Sequence, residues 1–305
     1  MPSDQLARLL TYLRRFRDAP TSPGDFAAMR QRVRDLCKID PITTEVTTEI
    51  RRFDLAGLQC EWSIPRDAAP DRRLLYIHGG GWTAGDLDSH RAMVSRIARA
   101  AGVPALAIHY RLAPEHPFPA GLDDCVHAYR WLRDNGPNGP AQARAVFIAG
   151  DSAGGNLTLA TLLALRERAI PQPTAAIPIS AATDFSGKGE SFTTRAAIDP
   201  MIRLDASLFQ AMGALYTQGR ADPLSPLVSP LNGDLAGLPP LLMQVGDAEV
   251  LLDDSTRFAA KAKAAGVDAT LEVWPDMPHV WHLFAGFLPE ADRAIERIGA
   301  FVKAR

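Results

Sequence analysis

The chain is predicted to fold as an α/β protein, with a mainly parallel central sheet flanked by helices on both faces. Three observations carry this. From about residue 72 onward, short apolar runs alternate with helical patterns. Gly102, Gly136 and Gly266 stand where three of those helices should end. The chain has 305 residues, 47% hydrophobic and 22% charged, enough to bury a large core and too apolar for a disordered segment.

Taken in order, residues 4–17 place Leu6, Leu9, Leu10, Leu13 and Phe16 on one helical face. A second helix is expected from Ser22, with Pro23 at its first position and Asp25 completing a capping box; its stripe is Phe26, Met29, Val33 and Leu36. Ordinary packing explains both stripes, and the alternative is that these helices cover a site. Residues 44–64 read as two strands around a turn at Asp54–Gly57, forming the antiparallel edge of the sheet. Further strands are expected at Leu74–Ile77, Ala105–Tyr110, Ala145–Ala149, Leu241–Val245 and Thr270–Val273. Helices should lie near 88–101, 121–134, 155–168, 251–265 and 290–303. Residues 183–230 break the rhythm. They are rich in Pro, Ser and Thr, with one helix at 205–217, and read as an insertion of the kind that often lines a site.

Composition excludes some functions. Lys and Arg total 33 against 35 Asp and Glu, a net charge of -2, which argues against a nucleic-acid binder. Cys37, Cys60 and Cys125 form neither a disulfide framework nor a zinc spacing, so a reduced compartment is the simplest expectation. The first residues lack the flank and apolar stretch of a signal peptide, and no apolar run approaches the ~18 residues of a membrane helix. A cytoplasmic protein without membrane insertion is therefore expected.

The strongest chemical signal is Gly150-Asp151-Ser152-Ala153-Gly154, which ends an apolar strand and opens an Ala/Leu-rich helix. Gly-x-Ser-x-Gly in that setting is a nucleophile elbow: a turn so tight that flanking side chains would clash, with the serine hydroxyl raised above the sheet edge. Alone, it is equally a glycine-rich turn without chemistry. The second signal is His78-Gly79-Gly80-Gly81-Trp82, directly after a strand. Successive glycines let backbone N–H groups approach a developing oxyanion, with Ala153 N–H as their complement. His78 reads as an anchor for this loop and Trp82 as a wall of the acyl pocket.

A serine hydroxyl needs a base, and the base an orienting acid, in the chain order Ser, acid, His. Only His279 and His282 follow Ser152. His279 is preferred because it lies in a short loop at the C-terminal edge of the sheet, where ligands bind in open α/β folds. A His279-x-x-His282 metal pair lacks a third ligand, so no metal is expected. The acid should follow the strand 241–245. Asp253 and Asp254 there read as the start of a helix, which leaves Asp247 and Glu249, and local chemistry does not choose between them.

Together these residues resemble the hormone-sensitive-lipase-like family of carboxylesterases (bacterial family IV), on the α/β-hydrolase fold. Four motifs carry the resemblance, from about residue 72 to the C-terminus. They are His78-Gly79-Gly80-Gly81-Trp82; Tyr110-Arg111-Leu112-Ala113-Pro114-Glu115 with Pro117-Phe118-Pro119-Ala120; Gly150-Asp151-Ser152-Ala153-Gly154-Gly155-Asn156; and Asp222-Pro223 with Ser225-Pro226-Leu227. The resemblance implies Ser152 as nucleophile, His279 as base and an oxyanion hole from Gly80, Gly81 and Ala153. It places the acid at Glu249, where the family more commonly carries aspartate, and Asp247 stays open as the alternative. It implies a helical cap from residues 1–42 and 183–225 over a core formed by 43–182 and 226–305. Phe26, Met29, Met201, Phe209, Met212 and Tyr216 are then candidate lid residues, though core packing explains each equally well. A homodimer, a small-molecule ester of short to medium acyl chain, and no cofactor follow from the same resemblance. The stretch Thr183-Asp184-Phe185 through Asp199-Pro200-Met201 looks like a bacterial subset that includes lactone hydrolases. A lactonase or amidase with the same triad is one rival. The other is a non-catalytic ligand-binding protein on this fold, which the presence of His279 disfavours.

Overall fold

The computed structural model describes residues 3–19 and 24–305. Eight strands form one sheet: β1 (Glu49–Leu55), β2 (Leu58–Ile64), β3 (Arg72–Ile77), β4 (Ala105–His109), β5 (Ala145–Asp151), β6 (Ala175–Ile179), β7 (Leu241–Gly246) and β8 (Ala269–Trp274). Their spatial order is β1-β2-β4-β3-β5-β6-β7-β8. The β1–β2 hairpin is the antiparallel edge, and from β4 onward every pairing is parallel. The expected sheet is therefore present, with the hairpin turning at Ala56 and Gly57.

Strand β6 was not anticipated, and Pro178 explains why. Proline has no N–H for a ladder, so it argues against an interior strand. Here β6 pairs with β7 only at Ala176 and Ile179, on either side of the interruption.

Alternate residues on each strand feed two apolar layers. Leu75 and Ile77 of β3, with Val146 and Ile148 of β5, pack into one layer. The helices there are α4 (Ala120–Asp134), α5 (Ala153–Glu167) and α7 (Leu252–Ala264). Leu74 and Tyr76, with Phe147 and Ala149, face the other layer. It is built on α3 (Leu87–Ala101) and α8 (Pro289–Lys303). The expected helix α1 (Asp4–Asp18) joins this second layer through Leu6, Leu9 and Leu13. Its N-cap Ser3 also donates to Glu290 of α8 at 2.8 Å, tying the two helices together.

Gly102 caps α3 in the left-handed conformation, and Gly266 follows α7 with φ 81°. Gly136 is different: α4 ends on extended Asn135, and Gly136 pairs with Gly139 in a two-residue ladder.

Helix α2 (Phe26–Asp35) begins later than expected, capped by Asp25, whose carboxylate accepts Ala28 N–H. Ser22 and Pro23 lie outside the described residues. Arg30 pins α2 to the core through both oxygens of Glu115 (2.9 and 2.7 Å) and the Thr83 carbonyl (2.9 Å). Residues 183–225 hold a single turn at Ser191–Thr194 and helix α6 (Ala206–Thr217).

Candidate active site

The site forms where β3, β5, β7 and β8 end. Strand β5 runs into α5 through Ser152, which takes φ 56°, ψ -118°. That conformation is unfavourable for a residue with a side chain and is tolerated only where the surroundings enforce it. The flanking glycines show the enforcement: a Cβ at Gly150 would fall 2.4 Å from Gly154 O, and one at Gly154 2.0 Å from Ile77 O. The elbow is then held by Ser152 N–H donating to Ile179 O at 2.8 Å and Asn156 N–H returning to Ser152 O at 3.0 Å.

Beside the elbow, the loop after β3 carries His78 to Trp82. Gly80 takes φ 120°, and a Cβ there would meet Ala84 O at 2.2 Å, so the turn admits only glycine. The N–H groups of Gly80, Gly81 and Ala153 have no acceptor among the described residues. His78 lies beneath. Its Nδ1 donates to Gly79 O at 2.8 Å and its ring stacks on Tyr110, centroids 4.4 Å apart. Burial, with His90 and His109 nearby, drives its pKa down to about 3, so it stays neutral in its anchoring position.

His279 sits in the loop after β8 and is 3% exposed. Its Nδ1 meets Glu249 Oε2 at 2.5 Å. The other carboxylate oxygen of Glu249 accepts Ser180 Oγ and Gly246 N–H, both at 2.7 Å, so this fully buried group is satisfied on both oxygens. Burial alone would depress the His279 imidazole. The charge and hydrogen bond of Glu249, with Asp199 and Asp151 behind, outweigh it and hold the pKa above the ordinary histidine value. Asp247 does not reach the imidazole: its carboxylate accepts Asp276 N–H at 2.7 Å and braces the loop that leads to His279.

His282 lies in a 3₁₀ turn (Trp281–Phe284). Its Nε2 pairs with Gln244 Oε1 at 2.8 Å, on a different partner from His279, and burial lowers its pKa to about 3. Among the described residues no cluster of three or more His, Cys, Asp or Glu side chains could hold a metal ion.

Ser152, His279, Gly80 and Gly81 line one cavity of about 180 Å³. Of the expected pocket residues, Trp82, Met201, Phe209 and Met212 are on its wall. Tyr216 stands one layer back, stacked behind Trp82 with centroids 5.1 Å apart. Phe26 and Met29 are also off the wall, because α2 approaches with its C-terminal end and presents Val33 and Leu36 instead. Sequence reasoning missed Ile202, Leu204, Leu251, Val280, Leu283 and His90, all on the wall. Ile202 and Leu204 follow the expected Met201 in the chain, and only the path of the insertion reveals them.

Comparison with known proteins identifies the family. A family model described as alpha/beta hydrolase fold matches residues 74–283. The chain is 48% identical over 245 residues to an acetyl-hydrolase of Streptomyces hygroscopicus, covering 80% of this chain and 79% of that protein. It aligns at TM-score 0.91 and 43% identity with an esterase from the bacterial hormone-sensitive lipase family, covering 100% of this chain and 99% of the other. It also aligns at TM-score 0.88 and 41% identity with EstE5 soaked with p-nitrophenyl butyrate, covering 99% and 98%. No helix of the described residues is long and apolar enough to cross a membrane. The chain therefore belongs to the hormone-sensitive-lipase-like carboxylesterases of the α/β-hydrolase family, and is a carboxylic ester hydrolase.

Proposed function

We propose that this hydrolase cleaves short acyl esters through an acyl-enzyme on Ser152. The observation that carries the reading is the convergence of Ser152 and of His279, already paired to Glu249, on one cavity. With Nδ1 engaged by Glu249, the Nε2 of His279 is the nitrogen left to take the Ser152 proton. Ser152 Oγ attacks the ester carbonyl as that proton passes to Nε2. The tetrahedral oxyanion rests on the N–H groups of Gly80, Gly81 and Ala153. Collapse breaks the bond to the alcohol, which leaves with the proton from His279. Water then attacks the acyl-enzyme, gives its proton to His279, and the acid departs as Ser152 recovers its hydrogen.

Glu249 orients the imidazole and stabilises it when charged. The cavity is small beside the ~300–1,000 Å³ of pockets for drug-sized ligands. It is also walled by apolar side chains, which favours acetyl to butyryl groups over long chains.

The test is a p-nitrophenyl ester series from acetate to decanoate with wild type and Ser152→Ala. Activity that peaks at the short end, is lost in Ser152→Ala, and leaves an acyl mass on Ser152 after rapid quench supports the reading. A maximum at long chains, or undiminished turnover in Ser152→Ala, overturns it.

A further inference from the structure

Asp151 precedes Ser152 directly and is buried, with 2% exposure. One of its oxygens accepts Tyr76 OH at 2.8 Å and Gly79 N–H at 3.1 Å. The other meets His90 Nε2 at 3.3 Å. Burial alone would push this carboxyl up, but the charge and hydrogen bond of His90, together with Tyr76, outweigh it and hold the pKa below the ordinary aspartate value. The fit to the glycine loop is close: a Cβ at Gly79 would sit 2.2 Å from Asp151 Oδ2.

The position in the chain matters as much as the contacts. Gly79 is followed at once by Gly80 and Gly81, and Asp151 is followed by Ser152 and Ala153. One carboxylate thus spans the two backbone segments whose N–H groups flank the reacting carbonyl. His90 joins it from α3, on the cavity wall, and its other nitrogen meets Ser89 Oγ at 2.9 Å. Ser89 in turn caps α3 with Asp86, whose carboxylate pairs with Arg34 of α2.

We infer that Asp151 and His90 are a positioning pair for the oxyanion hole: the carboxylate ties the glycine loop to the serine elbow, and the imidazole fixes the carboxylate from the cavity wall. This deepens the acyl-enzyme reading above and rests on it. Oxyanion donors act only over a narrow range of about 2.7–3.1 Å, so a few tenths of an ångström between the two segments weaken transition-state binding without touching ground-state binding.

The test compares His90→Ala, His90→Gln and Asp151→Asn with wild type, each checked by its melting curve to be folded at the assay temperature. The substrate is p-nitrophenyl butyrate, and the reaction of Ser152 with an organophosphonate ester is followed by mass. His90→Ala should lower kcat about 10- to 100-fold, with KM within about threefold, and slow phosphonylation in parallel. His90→Gln, whose amide can still donate to Asp151, should recover most of kcat. Asp151→Asn, which keeps an acceptor for Tyr76 and Gly79, is the check should His90→Ala fail to fold, and should also lose kcat rather than KM. A folded His90→Ala with kcat within about threefold of wild type overturns the pair, as does a loss confined to KM or a glutamine no better than alanine. If wild type itself takes no label on Ser152, the acyl-enzyme reading falls and this inference with it. Normal labelling of wild type alongside an unaffected His90→Ala removes this inference alone.

Discussion

Glu249→Gln is the most informative single change, because the geometry states what it does to the imidazole. The Oε1 atom of Glu249 accepts from Ser180 Oγ and Gly246 N–H, two donors 2.7 Å away. A glutamine must keep its carbonyl oxygen there, which turns its NH₂ toward His279 Nδ1. The imidazole can avoid facing donor to donor only by moving its proton to Nε2, the wrong tautomer for accepting the Ser152 proton. The lost charge adds to this. With Nδ1 and Oε2 at 2.5 Å, the two charge centres lie about 4 Å apart, worth about 4 kcal/mol at an effective dielectric of 20. At 1.36 kcal/mol per decade that is a rate loss on the order of 10³-fold, before any tautomer penalty. Steady-state hydrolysis of p-nitrophenyl butyrate should show it in kcat with little change in KM. Asp247→Asn is the control and should stay within about fivefold of wild type, since Asp247 only braces the backbone of Asp276. A loss below about tenfold for Glu249→Gln, or a larger one for Asp247→Asn, would refute this assignment of the acid.

Three further outcomes follow from the same contacts. The rate kcat/KM should rise with pH as His279 gives up its proton, with a midpoint above the ordinary histidine value; in Glu249→Gln burial is opposed only by Asp199 and Asp151 and the midpoint should fall, read from a pH–rate profile. Met212→Ala should raise the activity on hexanoate and octanoate relative to acetate, because the Met212 methyl lies against Gly81 and closes the cavity there (a Cβ at Gly81 would be 3.1 Å from it). Leu9→Ala removes a fully buried side chain from α1 and should cost about 2–5 kcal/mol in denaturant unfolding, leaving the activity per folded molecule unchanged.

Much of the fold was legible because its signals are local. Short apolar runs, helix stripes and glycine stops each need only a few neighbouring residues. Strand β6 was not legible, because Pro178 breaks the local rule; the strand pairs along its whole length with β5 and only on either side of the proline with β7. The elbow and the glycine loop were legible for a different reason: backbone atoms that crowd at 2.0–2.4 Å from a would-be Cβ demand glycine, and that demand is written in the sequence. The choice between Glu249 and Asp247 was not. Both follow β7 within four residues, and what separates them is which way the turn after Gly246 points, a matter of packing against Met277 rather than of residue type. The pocket wall was half legible for a similar reason. Phe26, Met29, Val33 and Leu36 share a helical stripe, and only the docking of α2 through Arg30 and Arg34 decides which end of that stripe meets the cavity.

The same contacts divide the site into a rigid side and a looser one. An uncompensated buried carboxylate is very costly, and its donors must be in place before it can stay ionised in the interior. Glu249 draws its partners from Ser180, Gly246 and His279, and Asp151 from Tyr76, Gly79 and His90. Those six residues come from the sheet, its connecting loops and α3, so closing the core and assembling the site are one event. Removing one of these donors must therefore lower stability and rate together. The contacts of α2 differ in kind. The Arg30–Glu115 pair is 27% and 50% exposed, where solvent screening leaves an ion pair worth about 1 kcal/mol or less. Substitutions at these contacts of α2 therefore cost the fold little, whereas substitutions at the donors of Glu249 or Asp151 cannot separate stability from rate.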